Sequence, residues 1–370
     1  MKKSEKKTAL TEPDSKVTGL ISADTMPATF YRSEELYLKS LDQIFATSWQ
    51  ILASHHQLPL DQHAAPFTLL EGALNEPLLL VRDGKTLSCL SNVCTHRGAI
   101  LVEQGCQSRS LRCRYHGRRF NLDGQFQSAP GFENIQDFPR DKDHLPKVSH
   151  QSWGPFSFVS LSPACSFDQW IGDVQKRLAF MPFAEFVFRP DLSRDFDIDA
   201  HWALYVDNYL EGLHIPFVHP SLTSVLDLKG YQTELLPYGN LQIGASAPGS
   251  KSFELPEHSP DYGKQISAYY YWLFPNLMLN FYTWGLSVNI VMPQGHNKTK
   301  VRFLTYVWRP ELMEGYSPAD IVQTEMEDEA VVQSVQQGIQ SRLYKSGRYA
   351  PQWEAGVKQF HDILRSKLGT

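Results

Sequence analysis

A chain of 370 residues is longer than one hydrophobic core usually supports, so two domains are expected. Its 42% hydrophobic and 20% charged content fits a soluble globular enzyme, and a net charge of −5 offers no basic surface for nucleic acid. No apolar run reaches the ~18 residues of a membrane span, and five cysteines, an odd number in a large chain, argue for reduced thiols in the cytoplasm over a disulfide framework.

Residues 1–44 read as a solvated tail followed by a lead-in helix. The opening Met1-Lys2-Lys3-Ser4-Glu5-Lys6-Lys7 has no apolar core behind it and is not a secretory signal. Residues 45–160 read as an all-β domain. Apolar runs such as Pro77-Leu78-Leu79-Leu80-Val81-Arg82 end in turn signals such as Asp83-Gly84, and Asp123-Gly124 after Phe120-Asn121-Leu122 reads as a hairpin turn. Two loops in this stretch carry chemistry. Cys94-Thr95-His96 and Cys113-Arg114-Tyr115-His116 each offer one thiolate and one imidazole, and Gly98 and Gly117 close them. A [2Fe–2S] centre of the Rieske kind needs that set, with cysteines on one iron and histidines on the other. Two Cys and two His also satisfy tetrahedral zinc, although zinc sites usually pair like with like. Cys89, Cys106 and Cys165 are expected to be small apolar residues without a metal role.

From about residue 165 the pattern changes. A helix-like stretch near Trp170 to Met181 precedes the segment from His201 to His219, and strands follow over roughly residues 230–310. A long helix starts at Ser317, with Ser317 as N-cap, Pro318 at the first helical position and Asp320 in the first turn. An antiparallel sheet with long helices on one face gives an α+β domain spanning residues 161–370. His214 and His219 are five residues apart, an offset that on a straight helix leaves their imidazoles about 140° apart. Pro216 is expected to widen or kink the turn between them, and Pro220 to end the segment. Two histidines and one carboxylate on one side of an Fe(II) ion leave its other side open to O2. On the last helix Ile321, Val332, Val335 and Ile339 define an apolar stripe, and Asp328 falls in its middle, where an ionised carboxylate is costly unless paired or metal-bound. Asp328 is the expected third ligand; Glu327 and Glu329 are expected to point elsewhere.

Three motifs together resemble the catalytic (alpha) subunit of the Rieske non-heme iron oxygenases, over nearly the whole chain from about residue 45. They are the two cluster loops, the segment Asn208-Tyr209-Leu210-Glu211-Gly212-Leu213-His214 with His219, and the stretch from Glu327-Asp328 to Ser334-Val335-Gln336-Gln337-Gly338. The resemblance implies a Rieske [2Fe–2S] domain and a helix-grip catalytic domain. The cluster would be held by Cys94, His96, Cys113 and His116, and Fe(II) by His214, His219 and Asp328. Glu211 would not bind iron; it would hydrogen-bond His214 and reach across a subunit boundary to His116, so that a head-to-tail homotrimer is expected. Asn208 is carried over as a further residue of the catalytic site. A flavin- and NAD(P)H-dependent reductase, with or without a ferredoxin, is implied as electron donor, O2 as co-substrate and a small organic molecule as substrate. Where many relatives have Cys-Pro-Tyr-His-Gly-Trp, this chain has Arg114 and Arg118; their positive charge is expected to favour the reduced cluster and to bear on docking of the donor. Asp207 stands where relatives often carry Glu and is read as minor.

Substrate identity is less determined. A Glu bridge within Asn-Tyr-Leu-Glu looks closest to the branch acting on quaternary amines such as choline, carnitine and glycine betaine, cations that aromatic faces hold well. Tyr269, Tyr270, Tyr271, Trp272, Phe281, Tyr282 and Trp284 lie on the expected pocket strands. Aromatic residues are also ordinary strand material, so an aromatic substrate stays open, as do hydroxylation, cis-dihydroxylation and dealkylation. The competing class is a non-enzymatic Rieske electron-transfer or zinc-binding protein, which would leave residues 165–370 without chemistry.

Overall fold

The computed structural model of the chain describes residues 23–52, 64–219, 226–313 and 318–369. The charged opening segment, the Ser317 cap and Pro220 lie outside them, as do the side chains of Asp320 and Ile321. Two short helices, α1 (Ala28–Arg32) and α2 (Glu34–Ser40), lead through a π-turn at Leu41–Phe45 into the first sheets. Nine strands follow: β1 (Gln50–Leu52), β2 (Ala64–Leu69), β3 (Glu76–Asp83), β4 (Thr86–Ser91), β5 (Leu111–Arg112), β6 (Arg119–Phe120), β7 (Phe126–Ser128), β8 (Lys147–Trp153) and β9 (Phe156–Ser160). They form a six-stranded sheet in the order β1-β9-β8-β4-β3-β2 and a small β5-β6-β7 sheet. Asp83 and Thr86 pair across the turn from β3 to β4, and the Asp123-Gly124 turn joins β6 to β7. Strands β5 and β6 flank the second cysteine–histidine loop.

The helix α3 (Phe167–Arg177) comes next. It starts three residues before the expected Trp170 because Ser166 and Gln169 form a capping box: Ser166 Oγ accepts from the Gln169 N–H and Gln169 Oε1 from the Ser166 N–H. Phe167, Trp170, Ile171 and Val174, at the i, i+3, i+4, i+7 spacing of one helix face, are all buried. Each such side chain contributes about 1.5–3 kcal/mol by leaving water.

The remaining elements are β10 (Val187–Phe188), β11 (Arg194–Ile198), α4 (Trp202–Tyr209), α5 (Ile215–Val218), β12 (Leu226–Leu236), β13 (Gly239–Ser246), β14 (Ile266–Leu273), β15 (Leu277–Tyr282), β16 (Gly285–Pro293), β17 (Thr299–Val307), α6 (Pro318–Ile339) and α7 (Ala355–Leu368). The strands make one antiparallel sheet in the order β10-β17-β16-β15-β14-β13-β12, with β11 also on β17, so this half is α+β as expected. Among the described residues no helix is long and apolar enough to cross a membrane.

The strand period of two sorts this sheet's side chains onto two faces. Leu241, Ile243, Tyr269, Tyr271, Leu279, Phe281, Leu286 and Val288 pack into one core with α3. Gln242, Tyr270, Asn280, Tyr282, Ser287 and Asn289 alternate with them on the opposite face, in register across four strands. That second face looks toward α4: the Tyr209 hydroxyl donates to Asn280 Oδ1 at 2.6 Å, and Gln242 Nε2 donates to the Tyr209 carbonyl at 2.7 Å. The expected group of pocket aromatics is therefore split. Tyr269, Tyr271 and Phe281 belong to the α3 core, and Trp272 packs edge-on against Phe360 of α7. Tyr270 and Tyr282 remain on the α4 side, with Trp284 stacked on Tyr282 at 5.1 Å.

Helix α6 begins at Pro318 as expected, but its buried stripe is Glu325, Val332, Gln336 and Ile339. Val335, expected on that stripe, is 43% exposed, being turned about 60° from Val332 around the helix. The other end of the catalytic half is held by His201, which caps α4 by accepting from the Ala203 N–H at 3.2 Å and is fully buried beside the Phe30 and Tyr31 rings. Burial, helped by nearby His296, pushes its pKa down to about 3. The unfolded chain takes up a proton below about pH 6.5 that the folded state refuses, so this contribution is complete at neutral pH and is lost progressively as pH falls from there toward the folded value. His201→Asn keeps a capping side chain without the titration. Its urea midpoint is expected to fall less between about pH 7 and about pH 5 than that of the native chain; an equal fall would remove His201 as the cause.

Candidate active site

The two cluster loops fold alike despite their different spacings. In each, the cysteine N–H donates to the carbonyl five residues on, Cys94 to Ala99 and Cys113 to Arg118, both at 2.8 Å. In each, the glycine N–H returns to the cysteine carbonyl, at 3.0 Å from Gly98 and 3.1 Å from Gly117. That closure puts the fifth residue in the left-handed region, with φ 73° at Gly98 and 74° at Gly117, where glycine pays no Cβ penalty. The histidine stands third in one loop and fourth in the other, yet the rings of His96 and His116 meet at 4.7 Å. The cysteines are buried and the histidines partly exposed.

This arrangement favours iron–sulfur over zinc. Among the described residues, the set of ligand atoms lying within 4.8 Å of one another is His214, His219 and Asp328, not the four loop residues. The loops do not converge on one ion as tetrahedral zinc requires. Two buried thiols together and two imidazoles together suit a core of two irons. Burial raises the Cys94 thiol pKa, with the neighbouring Cys113 thiol adding to it and the His96 N–H opposing it; a bound iron core would reverse that preference, since it is held by thiolate.

Of the two arginines, Arg118 does not add the unbalanced charge expected of it. Arg114 is exposed, with Glu103 at 3.5 Å. Arg118 is buried and paired with Asp143 at 2.9 Å. Its guanidinium is compensated on the spot.

The second site is built where α4 ends. Where a widened or kinked turn at Pro216 is expected, the segment is divided between two separate helices. Helix α4 stops at Tyr209, His214 becomes the N-cap of the single turn α5, and Pro216 sits in that first turn, where its missing N–H is not needed. His219 follows the turn, and the two imidazoles meet at 5.3 Å and 80°. Asp328 arrives on α6: its Oδ1 lies 3.0 Å from His219 Nε2 and 3.6 Å from His214 Nε2.

Carboxylates fix both rings from behind. Glu211 Oε1 takes His214 Nδ1 at 2.6 Å, and its Oε2 accepts the backbone N–H groups of Leu213 and His214. Glu327 Oε2 takes His219 Nδ1 at 2.8 Å and is itself steadied by Gln323. Glu327 thus belongs to the site, contrary to the expectation that it points elsewhere; its side chain is long enough to reach α5 from the edge of the stripe. With Nδ1–H given to the carboxylate behind it, each ring would offer its Nε2 lone pair to a metal placed beside Asp328. Asn208 Nδ2 donates to Asp328 Oδ1 at 2.6 Å, which turns that oxygen toward the histidines. Burial disfavours a proton on His219, but the hydrogen bonds and charges of Asp328 and Glu327 outweigh it and raise its pKa, so the pocket favours positive charge. The donor set and its electrostatics fit a divalent iron.

Two further residues gain roles that the sequence did not disclose. Glu325, one turn before Asp328, is buried with the Tyr205 hydroxyl donating to it at 2.8 Å; burial, and then the charge of Asp328, holds its carboxyl well above the usual range. Asp207, read as minor, accepts from Tyr31 at 2.6 Å and pairs with His361 at 2.8 Å, tying α4 to the lead-in segment and to α7. Among the described residues no hydrogen bond links Glu211 to His96 or His116 within the chain. For Glu327, replacement by Ala is expected to weaken iron binding by about 10–100-fold, as loss of an outer partner of a metal-bound histidine does. A competitive chelator titration reads this directly, and native affinity would remove Glu327 from the site.

Residues 48–139 match the Rieske [2Fe-2S] domain, and residues 187–370 match the ring hydroxylating alpha subunit (catalytic domain). The chloroplastic choline monooxygenase of Arabidopsis thaliana is 30% identical over 380 residues, covering 97% of this chain and 86% of that protein. The carnitine monooxygenase oxygenase subunit of Escherichia coli (strain K12) is 28% identical over 92% of each chain. A crystal structure of the quaternary ammonium Rieske monooxygenase CntA shares the fold, with a TM-score of 0.72 over 93% of this chain and 95% of that chain at 22% identity.

Proposed function

The chain belongs to the Rieske ring-hydroxylating oxygenases, as a catalytic alpha subunit, and from that premise we propose that its substrate is a small quaternary ammonium compound. It is an oxidoreductase that uses O2 and electrons received from a reductase. When bound, the Rieske cluster supplies single electrons and Fe(II) supplies the place where O2 is reduced and its oxygen enters the substrate.

The protein's part is to hold and orient. Cys94, His96, Cys113 and His116 hold the cluster; His214, His219 and Asp328 hold the iron. Glu211 and Glu327 keep the Nδ1 protons of the two iron-binding histidines, and Asn208 steers Asp328. We place Glu211 at the boundary between subunits of a head-to-tail homotrimer, as the hydrogen-bonded link from His214 to the cluster of a neighbouring subunit. The donor is a flavin- and NAD(P)H-dependent reductase. All five cysteines are free, which suits the cytoplasm.

The observation supporting the substrate class is the sheet face opposite α4. It presents the rings of Tyr270 and Tyr282, with Trp284 stacked on Tyr282, beside the amides of Gln242 and Asn280, and Tyr209 of α4 faces them. Aromatic faces attract a trimethylammonium group that offers no N–H to a hydrogen-bond acceptor. The test is O2 consumption in a single turnover by pre-reduced enzyme. Trimethylammonium alcohols and acids should trigger it, and their neutral tert-butyl isosteres should not. An equal response to the isosteres, or a response to aromatic hydrocarbons alone, overturns the assignment.

A further inference from the structure

Arg118 is an unusual residue to bury beside a cluster loop. It follows Gly117, and its carbonyl closes the second loop by accepting from the Cys113 N–H at 2.8 Å. Its guanidinium points away from water into a box of four rings, 4.9 Å from the centre of Phe126, 5.2 Å from Phe138 and 5.8 Å from both Phe120 and Phe132. Phe132 in turn lies edge-on to His96 at 5.2 Å. The box therefore touches both the arginine and a cluster ligand.

The anion that meets Arg118 comes from a separate segment, the single turn Asp141–Asp143. Asp143 Oδ1 accepts from Arg118 Nη2 at 2.9 Å, and the Asp143 carbonyl accepts from the same nitrogen at 3.3 Å. That carbonyl also accepts the hydroxyl of Thr95, in the first loop, at 2.9 Å. The other carboxylate oxygen takes the Arg140 N–H at 2.9 Å, which fixes the turn. One residue thus fastens both loops, each through a different contact.

We infer that Asp143 is the positioning residue of the cluster site, clasping both ligand loops through Thr95 and Arg118 while its carboxylate cancels the arginine's charge beside the cluster. A buried guanidinium stays protonated whatever surrounds it, and among aromatic rings with little water its field reaches the cluster weakly screened. The paired carboxylate offsets that charge; the largely exposed Arg140 guanidinium lies farther off, 3.7 Å from its other oxygen.

The inference rests on the cluster assignment, whose own failure would appear as absence of acid-labile sulfide in the native protein. Its test is redox titration of the cluster, followed by EPR, in Asp143→Asn, Arg118→Met and the double variant Arg118→Met with Asp143→Leu. Asp143→Asn keeps the hydrogen-bonding shape but frees the cation. It should favour the reduced cluster by roughly tenfold, about 59 mV for one electron. Arg118→Met should shift the potential the other way, and the double variant should return to the native potential, since an apolar pair can replace a buried ion pair. Native potentials in both single variants overturn the inference. If Asp143→Asn fails to retain its cluster, recovery of cluster content in the double variant supports the inference and equal loss in both overturns it.

Discussion

Asp328→Ala should remove oxygenation while leaving the Rieske centre spectroscopically intact. Three nitrogen and oxygen atoms approach one point at the second site, and Asp328 is the sole anion among them. Without it two neutral imidazoles face an empty corner, and Glu211 and Glu327 are already engaged on their far sides. Losing an outer partner of a metal ligand typically costs about 10–100-fold; losing the ligand should exceed that, on the order of 10³-fold in turnover. The cluster loops share no hydrogen bond with Asp328 among the described residues, so the visible spectrum and one-electron reduction of the cluster should be unchanged. The measurement is substrate oxidation per reduced cluster, and turnover near the native level would mean that Asp328 does not hold the reacting metal.

Glu211→Gln should separate the two centres without dismantling either. The carboxylate is bound by its own segment, with one oxygen on the His214 ring and the other on two backbone N–H groups. Gln is nearly isosteric, and both metals should stay. What changes is the charge that orders His214 and that, in the proposed trimer, would reach across the subunit boundary. Reoxidation of the reduced cluster by O2 and substrate, followed by stopped flow, should slow by at least roughly 100-fold, the upper end of what an orienting partner contributes. Native-rate reoxidation would take Glu211 out of the electron path.

How much of this was legible in the sequence follows from how local each feature is. The cluster ligands and their glycines sit within loops of a few residues, because an inorganic core needs its ligands presented by short rigid turns. Asp328 stood out as a charge on an expected apolar stripe, although of the described members only Val332 and Ile339 are buried and Val335 is exposed. Glu327 was not legible. Helical periodicity gives the direction of its Cβ, but its reach to His219 depends on α5 lying alongside α6, which no single-chain pattern encodes. The Arg118–Asp143 pair joins positions 25 residues apart, so the arginine alone read as surplus charge. The aromatic run at Tyr269, Tyr270 and Tyr271 was visible, and the period of two correctly divides it, but only the register with β13 and β15 shows which half faces α4.

The central claim is that one polypeptide builds both a two-iron cluster and a lone iron site. Quantitative iron, zinc and acid-labile sulfide analysis of the purified native protein tests it most directly. About three irons and about two sulfides per chain are expected, with little zinc. Two irons with two sulfides would leave His214, His219 and Asp328 without a metal, and zinc in place of iron would contradict the electron-transfer half as well.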